Sequence, residues 1–183
     1  EKPKGYTELM LATEENDAYR VFCLMQTQAG QFDASGKSAL CYAALHGYAD
    51  LCRLLARKEA GLQAFIHTNP DSLYESNRTA LMIAAMCGNA DCVRVLVQEE
   101  ARITDSEQRT ALMYAAMEGQ KECAEILMEY EAGMNTGRNN ATAYAIVHSH
   151  VDIAMTLSLV EKPPQTRYTL SRPDNTLLME AAR

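Results

Sequence analysis

The sequence predicts an all-α solenoid of stacked helix-turn-helix units joined by short hairpin turns. Three observations carry this expectation. A ten-residue string recurs in near-identical form: T-A-L-M-I-A-A-M-C-G at 79–88, T-A-L-M-Y-A-A-M-E-G at 110–119 and S-A-L-C-Y-A-A-L-H-G at 38–47. Each string runs on into a second apolar pattern, through Leu54-Leu55, Val95-Leu96 and Ile126-Leu127, and reaches Glu59-Ala60, Glu100-Ala101 and Glu131-Ala132. Turn-forming residues separate the copies. Self-similarity at a fixed period is the mark of repeat architecture.

The unit reads as two helices for local reasons. Thr79 and Thr110 are good N-caps, since a hydroxyl there can accept from an orphan amide of the first turn. Leu81, Ala84 and Ala85 follow at helical spacing on one face. The small Ala pair lets neighbouring helices approach closely. Gly88 supplies the left-handed residue that ends the first helix. The second helix sets Cys92, Val93, Val95 and Leu96 inside, with Asp91, Arg94 and Gln98 outside. A single hairpin cannot bury its apolar face, so stacked neighbours must bury it together. Between copies, Asp33-Ala34-Ser35-Gly36-Lys37-Ser38 offers Asp at the turn start and Gly where positive φ is needed. Asn77 and Asn140 are expected to fill that left-handed position in later copies, and Gln108 to fill it less comfortably.

Weaker copies flank the three strong ones. Thr7-Glu8-Leu9-Met10-Leu11-Ala12-Thr13 opens the first, with Asn16 where Gly is expected and Arg20 where a core residue is expected. Arg20 suits a capping repeat with one polar face. A fifth copy runs from about 141 to Leu157, and a truncated sixth ends the chain as Thr176-Leu177-Leu178-Met179-Glu180-Ala181-Ala182. The starts near 7, 38, 79, 110, 141 and 176 describe one domain over 1–183 with a unit near 31 residues. The fifth copy admits two frames, one from Thr142 and one with Ser149 between its helices, and its first helix should be short or shifted. Pro163-Pro164 stops its second helix. A long insertion at 64–73 separates the second and third copies. It is either a surface loop or a finger that touches a partner through Phe65 and Ile66.

Composition narrows the function. The 183 residues are 48% apolar and 22% charged, enough for a substantial core and against wholesale disorder. A net charge of −7 argues against a general binder of nucleic-acid phosphates. No run of 18 apolar residues exists to span a membrane. The chain opens without Met or an apolar leader and reads as a fragment or a processed form. Six cysteines form no CxxC pair, and some fall at matching repeat positions. They read as buried, reduced thiols of a protein in the cytoplasm or nucleus.

The strings T-A-L-M-x-A-A followed by Gly, with Asp five residues before the Thr or Ser in two copies, resemble the ankyrin-repeat family, whose helical opening reads T-P-L-H-x-A. The resemblance covers nearly the whole chain. It departs in three respects: Ala replaces the Pro, Met or Cys41 replaces the His, and the period is 31 rather than 33. Without that His, the family's Thr–His hydrogen bond is absent. The wording T-A-L-M-x-A-A…C…L…E-A-G also resembles large ankyrin arrays of protists, some fused to NIMA-related protein kinases; no kinase motif occurs here.

Other motifs carry blander readings. His148 and His150 flank Ser149 at the inter-helix turn, where the family often carries a packing His, and no ligand set for a metal completes them. Ser, His and Asp occur without a nucleophile elbow or a Gly-rich phosphate loop. The pairs Glu14-Glu15 and Glu99-Glu100 read as solvated faces. No enzyme activity, cofactor or small-molecule substrate is implied.

Met10, Met82, Met113 and Met179 share one repeat position and read as core. Leu45, Met86 and Met117 follow the Ala pair, a position that the resemblance places on the family's concave groove. The next position holds His46, Cys87 and Glu118; the hairpin tips add Lys37, Arg78 and Arg109; Tyr42, Ile83 and Tyr114 lie on the same side of the first helix. The bland alternative is that the Leu45–Met86–Met117 stripe merely packs between helices. The reading is protein–protein recognition, as a scaffold or targeting module, of an acidic segment with apolar anchors. The alternative is an ankyrin domain that regulates in cis a catalytic domain, such as a protein kinase, of a longer chain.

Overall fold

The computed structural model describes residues 2–63, 77–137 and 139–161. Among them, ten helices form five consecutive hairpins: α1 (Glu8–Glu14) with α2 (Ala18–Gln28), α3 (Ala39–His46) with α4 (Ala49–Glu59), α5 (Ala80–Cys87) with α6 (Ala90–Glu100), α7 (Ala111–Glu118) with α8 (Lys121–Glu131), and α9 (Ala141–Val147) with α10 (Val151–Ser158). The first helices pack side by side in chain order, and the second helices form a parallel layer behind them. The insertion at 64–73, with Phe65 and Ile66, and the copy at 176 lie outside the described residues.

Each first helix is held short by its ends. Thr79 Oγ1 accepts from Met82 N at 3.3 Å, and Thr7 Oγ1 from Met10 N at 3.2 Å. Thr110, expected to do the same, makes no cap bond. Sulfur stands near the cap where the family carries imidazole: Ser38 donates to Cys41 Sγ at 3.8 Å, and the Thr7 amide to Met10 Sδ at 3.4 Å.

Gly88 and Gly119 end α5 and α7 with φ of 79° and 75°. Their lack of a side chain matters twice. A Cβ on Gly88 would lie 2.4 Å from Gln120 Oε1, and one on Gly119 would lie 2.5 Å from His150 Cε1. Those side chains belong to the next hairpin and reach back through the gap. Gln120 Nε2 donates to Met86 O at 3.4 Å, His150 Nε2 lies 3.0 Å from Met117 O, and Asn89 Nδ2 donates to Ala44 O at 2.7 Å. Exposed carbonyls at each helix end are thereby satisfied by the following repeat.

Two expectations need correction here. Asn140 is not left-handed: its backbone is extended (φ −106°, ψ 179°), and its side chain caps α9 by accepting from Ala143 N at 3.0 Å. The fifth repeat therefore starts at Asn140, and the frame from Thr142 fails. The frame through Ser149 holds, since Ser149 (φ 65°) occupies the turn position of Gly88 and Gly119. Asn16 (φ 55°) and Gln108 (φ 62°) take the left-handed positions expected of them. Arg102 (φ 69°) also sits there, in the place that Gly30, Gly61 and Gly133 fill in other copies.

The core follows the repeat. Leu9, Leu40, Leu81 and Leu112 of the first helices are buried, with Leu55, Leu96, Leu127 and Leu157 of the second helices. The Ala pairs at 43–44, 84–85 and 115–116 are wholly buried, as close helix approach requires. Cys41, Cys52, Cys92 and Cys123 are buried free thiols. Burial pushes Cys41 and Cys123 up to about 11, so neither supplies thiolate at neutral pH.

One set of polar residues is buried with them. Glu59, Glu100 and Glu131 are each 1% exposed, which overturns the solvated reading of Glu100; Glu99 beside it is exposed. Each carboxylate accepts two backbone bonds. Glu59 takes Leu40 N at 2.7 Å and Gly30 N at 2.9 Å; Glu100 takes Leu81 N at 2.6 Å and Gly61 N at 2.9 Å; Glu131 takes Leu112 N at 2.7 Å and Arg102 N at 2.9 Å. Glu161 does the same with Thr142 N at 2.9 Å and Gly133 N at 3.2 Å. One amide belongs to the repeat's own first helix, near its positive end, and the other to the turn closing the previous repeat. In the first hairpin Gln28 takes this place and accepts from Leu9 N at 2.9 Å. No repeat precedes it among the described residues to present a second amide, so a neutral acceptor suffices.

Two outcomes follow. Glu100→Ala strands two amide donors, that of Leu81 in the core and that of Gly61 in a turn, and should cost roughly 2–4 kcal/mol, against about 1 kcal/mol for Gln28→Ala, in urea unfolding at neutral pH. Comparable losses would refute the two-amide account. Arg102→Gly relieves a left-handed backbone and should stabilise by up to about 1 kcal/mol, with the gain read from the same curves.

Candidate protein-binding face

The residues after the Ala pairs form one row across the first-helix layer. Leu45, Met86 and Met117 hold equivalent places at the ends of α3, α5 and α7, and all three are half-buried. Val147, 65% exposed, extends the row on α9. Its place in the row is set by Ser149 in the left-handed turn, which decides between the two frames that the fifth copy admits in sequence. The backbone under the row is held from behind, since Asn89, Gln120 and His150 engage the carbonyls of Leu45, Met86 and Met117 respectively. The second row is mixed: His46 and Glu118 are exposed, and Cys87 is half-buried. His46 stacks on Tyr48, with ring centroids 5.6 Å apart.

The expected aromatic edge is largely inside. Tyr42 and Ile83 are each 6% exposed and Tyr114 only 2%. Both tyrosines point their hydroxyls at the aspartate that starts their own hairpin turn. Tyr42 Oη donates to Asp33 Oδ2 at 2.6 Å, and Tyr114 Oη to Asp105 Oδ2 at 2.7 Å. The same carboxylates organise the turn itself. Asp33 accepts from Ser35 N at 2.8 Å and Lys37 N at 3.0 Å; Asp105 accepts from Glu107 N and Arg109 N, both at 2.8 Å. This Asp–Tyr pair, nine residues apart in both copies, was the signal that sequence reasoning passed over.

The basic tips are constrained rather than free. Arg109 bonds Asp105 through Nε and Glu107 through Nη2, each at 2.8 Å, so its charge is largely matched. Arg78 crosses to the next repeat: its Nε donates to Tyr114 Oη at 3.1 Å, and its guanidinium carbon lies 5.0 Å from the Tyr114 ring centroid. Arg109 lies 5.1 Å from the same ring. Arg78 also reaches Met86 Sδ at 3.6 Å, which ties tip and apolar row together. Lys37 bonds Ser35 Oγ at 2.9 Å.

Among the described residues no cluster of three metal-ligating side chains occurs, and no helix is long and apolar enough to cross a membrane. A crevice between α8 and α10, lined by Ala124, Met128, Ile153 and Leu157 among others, holds about 10 Å³, the room of at most one water. His150 is occupied by the Met117 carbonyl, and His148 is exposed beside it.

Burial raises Asp33 and Asp105, but the bonds from Tyr42 and Lys37, and from Tyr114 and Arg109, outweigh it and hold both carboxyls below the ordinary aspartate range. A folded-state pKa below the unfolded one contributes stability that is present above the unfolded value and lost as pH falls through the folded value. Asp105→Asn should therefore cost roughly 1.5–3 kcal/mol at pH 7. Urea titrations should show that difference shrinking below about pH 4. A difference independent of pH would contradict the assignment.

No curated protein matches the chain significantly. A family model described as ankyrin repeats, in three copies, matches residues 56–140 and 101–168 and so covers more than half of the chain. It agrees with the paired short helices and their turn geometry. The chain belongs to the ankyrin-repeat family, whose members are generally protein–protein interaction modules.

Proposed function

We propose that this chain is a scaffold or targeting module that binds a protein across its first-helix layer. The observation that carries the reading is the row Leu45, Met86 and Met117, half-buried beside the wholly buried Ala pairs and fixed on a backbone braced by the following repeat, with exposed Val147 in line with it. Half-exposed Met and Leu offer an adaptable apolar surface, and a rigid support lowers the entropic cost of binding. Lys37 and Arg78 bias the face toward a partner with acidic residues between its apolar anchors. Arg109 adds less, because Asp105 and Glu107 already match its charge. His46, Cys87 and Glu118 differ from copy to copy and supply selectivity. Free, largely buried thiols support a reducing compartment, the cytoplasm or the nucleus.

The test pairs capture with a variant. A partner is isolated on the full chain, and its affinity is then measured for the triple variant Leu45→Ser, Met86→Ser, Met117→Ser. Binding should fall at least about tenfold, with far-ultraviolet circular dichroism unchanged. Unchanged affinity, or loss of helical signal, would assign the row to packing and reject it as the binding surface.

A further inference from the structure

The two ends of the described array are finished differently. At the first hairpin, Arg20 stands where the next three hairpins bury Leu51, Cys92 and Cys123, and its guanidinium pairs with Glu8 at 3.0 Å and with Glu15. That end is closed by charge. At the fifth hairpin, Ile146 and Val147 are 46% and 65% exposed. Their counterparts one repeat earlier are Ala116, which is wholly buried, and Met117, which is half-buried; there α9 packs against α7. Ile146 thus occupies a place that is covered wherever another first helix follows. A separate apolar row, Val151 and Met155 on α10 and Leu159 just after it, aligns with Lys121, Glu125 and Glu129, which stay exposed in a hairpin flanked on both sides. Stacking does not reach that row.

We propose that Ile146 and Val147 form a docking surface for the chain's own residues 176–182. Three observations select this occupant. The sequence after Glu161 contains T-L-L-M-E-A-A, the opening of the third and fourth repeats with Leu177 for one Ala and Glu180 at the place of Ile83 and Tyr114. Ala181 and Ala182 reproduce the small pair through which inner first helices approach one another, and small residues are what a bulkier Ile146 can accommodate. The connection from Glu161 to Thr176 spans 14 residues, against nine between Glu100 and Thr110, so its length suffices for the segment to reach α9. This contact is independent of the binding row assigned above, apart from Val147, which it would cover.

Hydrogen exchange on the full chain tests the contact from both sides. Leu178→Asp should speed exchange of the α9 amides at least about tenfold, with α5 rates and a monomeric mass unchanged, whereas Leu170→Asp, outside the repeat string, should leave α9 unaffected. Val147→Asp should in turn speed exchange at residues 176–182. The proposal fails if α9 ignores Leu178→Asp or residues 176–182 ignore Val147→Asp. It also fails if α9 protection rises with concentration alongside a doubling of mass, which would give the face to a second copy.

Discussion

Four buried carboxylates, at or just after the ends of α4, α6, α8 and α10, hold this array together. Glu59, Glu100, Glu131 and Glu161 each join the amide of their own first helix to the turn amide that closes the preceding repeat. Hydrophobic contact between helices is non-directional and would tolerate sliding; a two-pronged bond to fixed amides does not. The geometry has an electrostatic cost. Burial lifts Glu100 and Glu131 above the ordinary glutamate range despite the amides they accept. A raised folded-state value means that these two groups favour the fold most below the ordinary range, and that this advantage is lost as pH rises through the raised value. Their role is to specify register as well as to add stability, in keeping with buried polar groups elsewhere.

Register matters because the binding row is assembled from separate repeats. Leu45, Met86, Met117 and Val147 form one line only if successive first helices keep their offsets. A second set of cross-repeat bonds, from Asn89, Gln120 and His150 through the gaps left by Gly47, Gly88 and Gly119, fixes the helix ends that carry the row. The carboxylates anchor the starts of α3, α5, α7 and α9, and these side chains anchor the finishes of α3, α5 and α7. Arg78 bridges the tips by lying over Tyr114 of the next repeat.

The scaffold was legible in sequence because its signals are local. Thr79, Leu81, the Ala pair and Gly88 announce cap, core, approach and stop within ten residues. What escaped depends on partners distant in sequence. Glu100 sits beside exposed Glu99 in a polar run, and nothing local separates the two; what buries it is Leu81 N, 19 residues back, and Gly61 N, 39 back. Tyr114 stands at a groove position of the repeat, and what turns it inward is the bond to Asp105, nine residues back. Val147 was hidden by the missing Gly of the fifth copy, since Ser149 adopts the left-handed turn without advertising it. Arg102 was overlooked for the same reason, as a residue in a glycine place. The apolar row rests on repeat position, which the structure reproduces by leaving Leu45, Met86 and Met117 half-buried, while Arg109 and Arg78 are held by partners that no local pattern announces.

The central claim is that carboxylates bind turn amides across repeat boundaries, and site-resolved hydrogen exchange addresses it directly. The amides of Gly30, Gly61 and Arg102 lie in surface turns outside any helix. Held by Glu59, Glu100 and Glu131, they should exchange as slowly as the core amides of Leu40, Leu81 and Leu112 that share the same carboxylates. Exchange at the rate of an ordinary exposed turn would show that the carboxylates do not tie one repeat to the next.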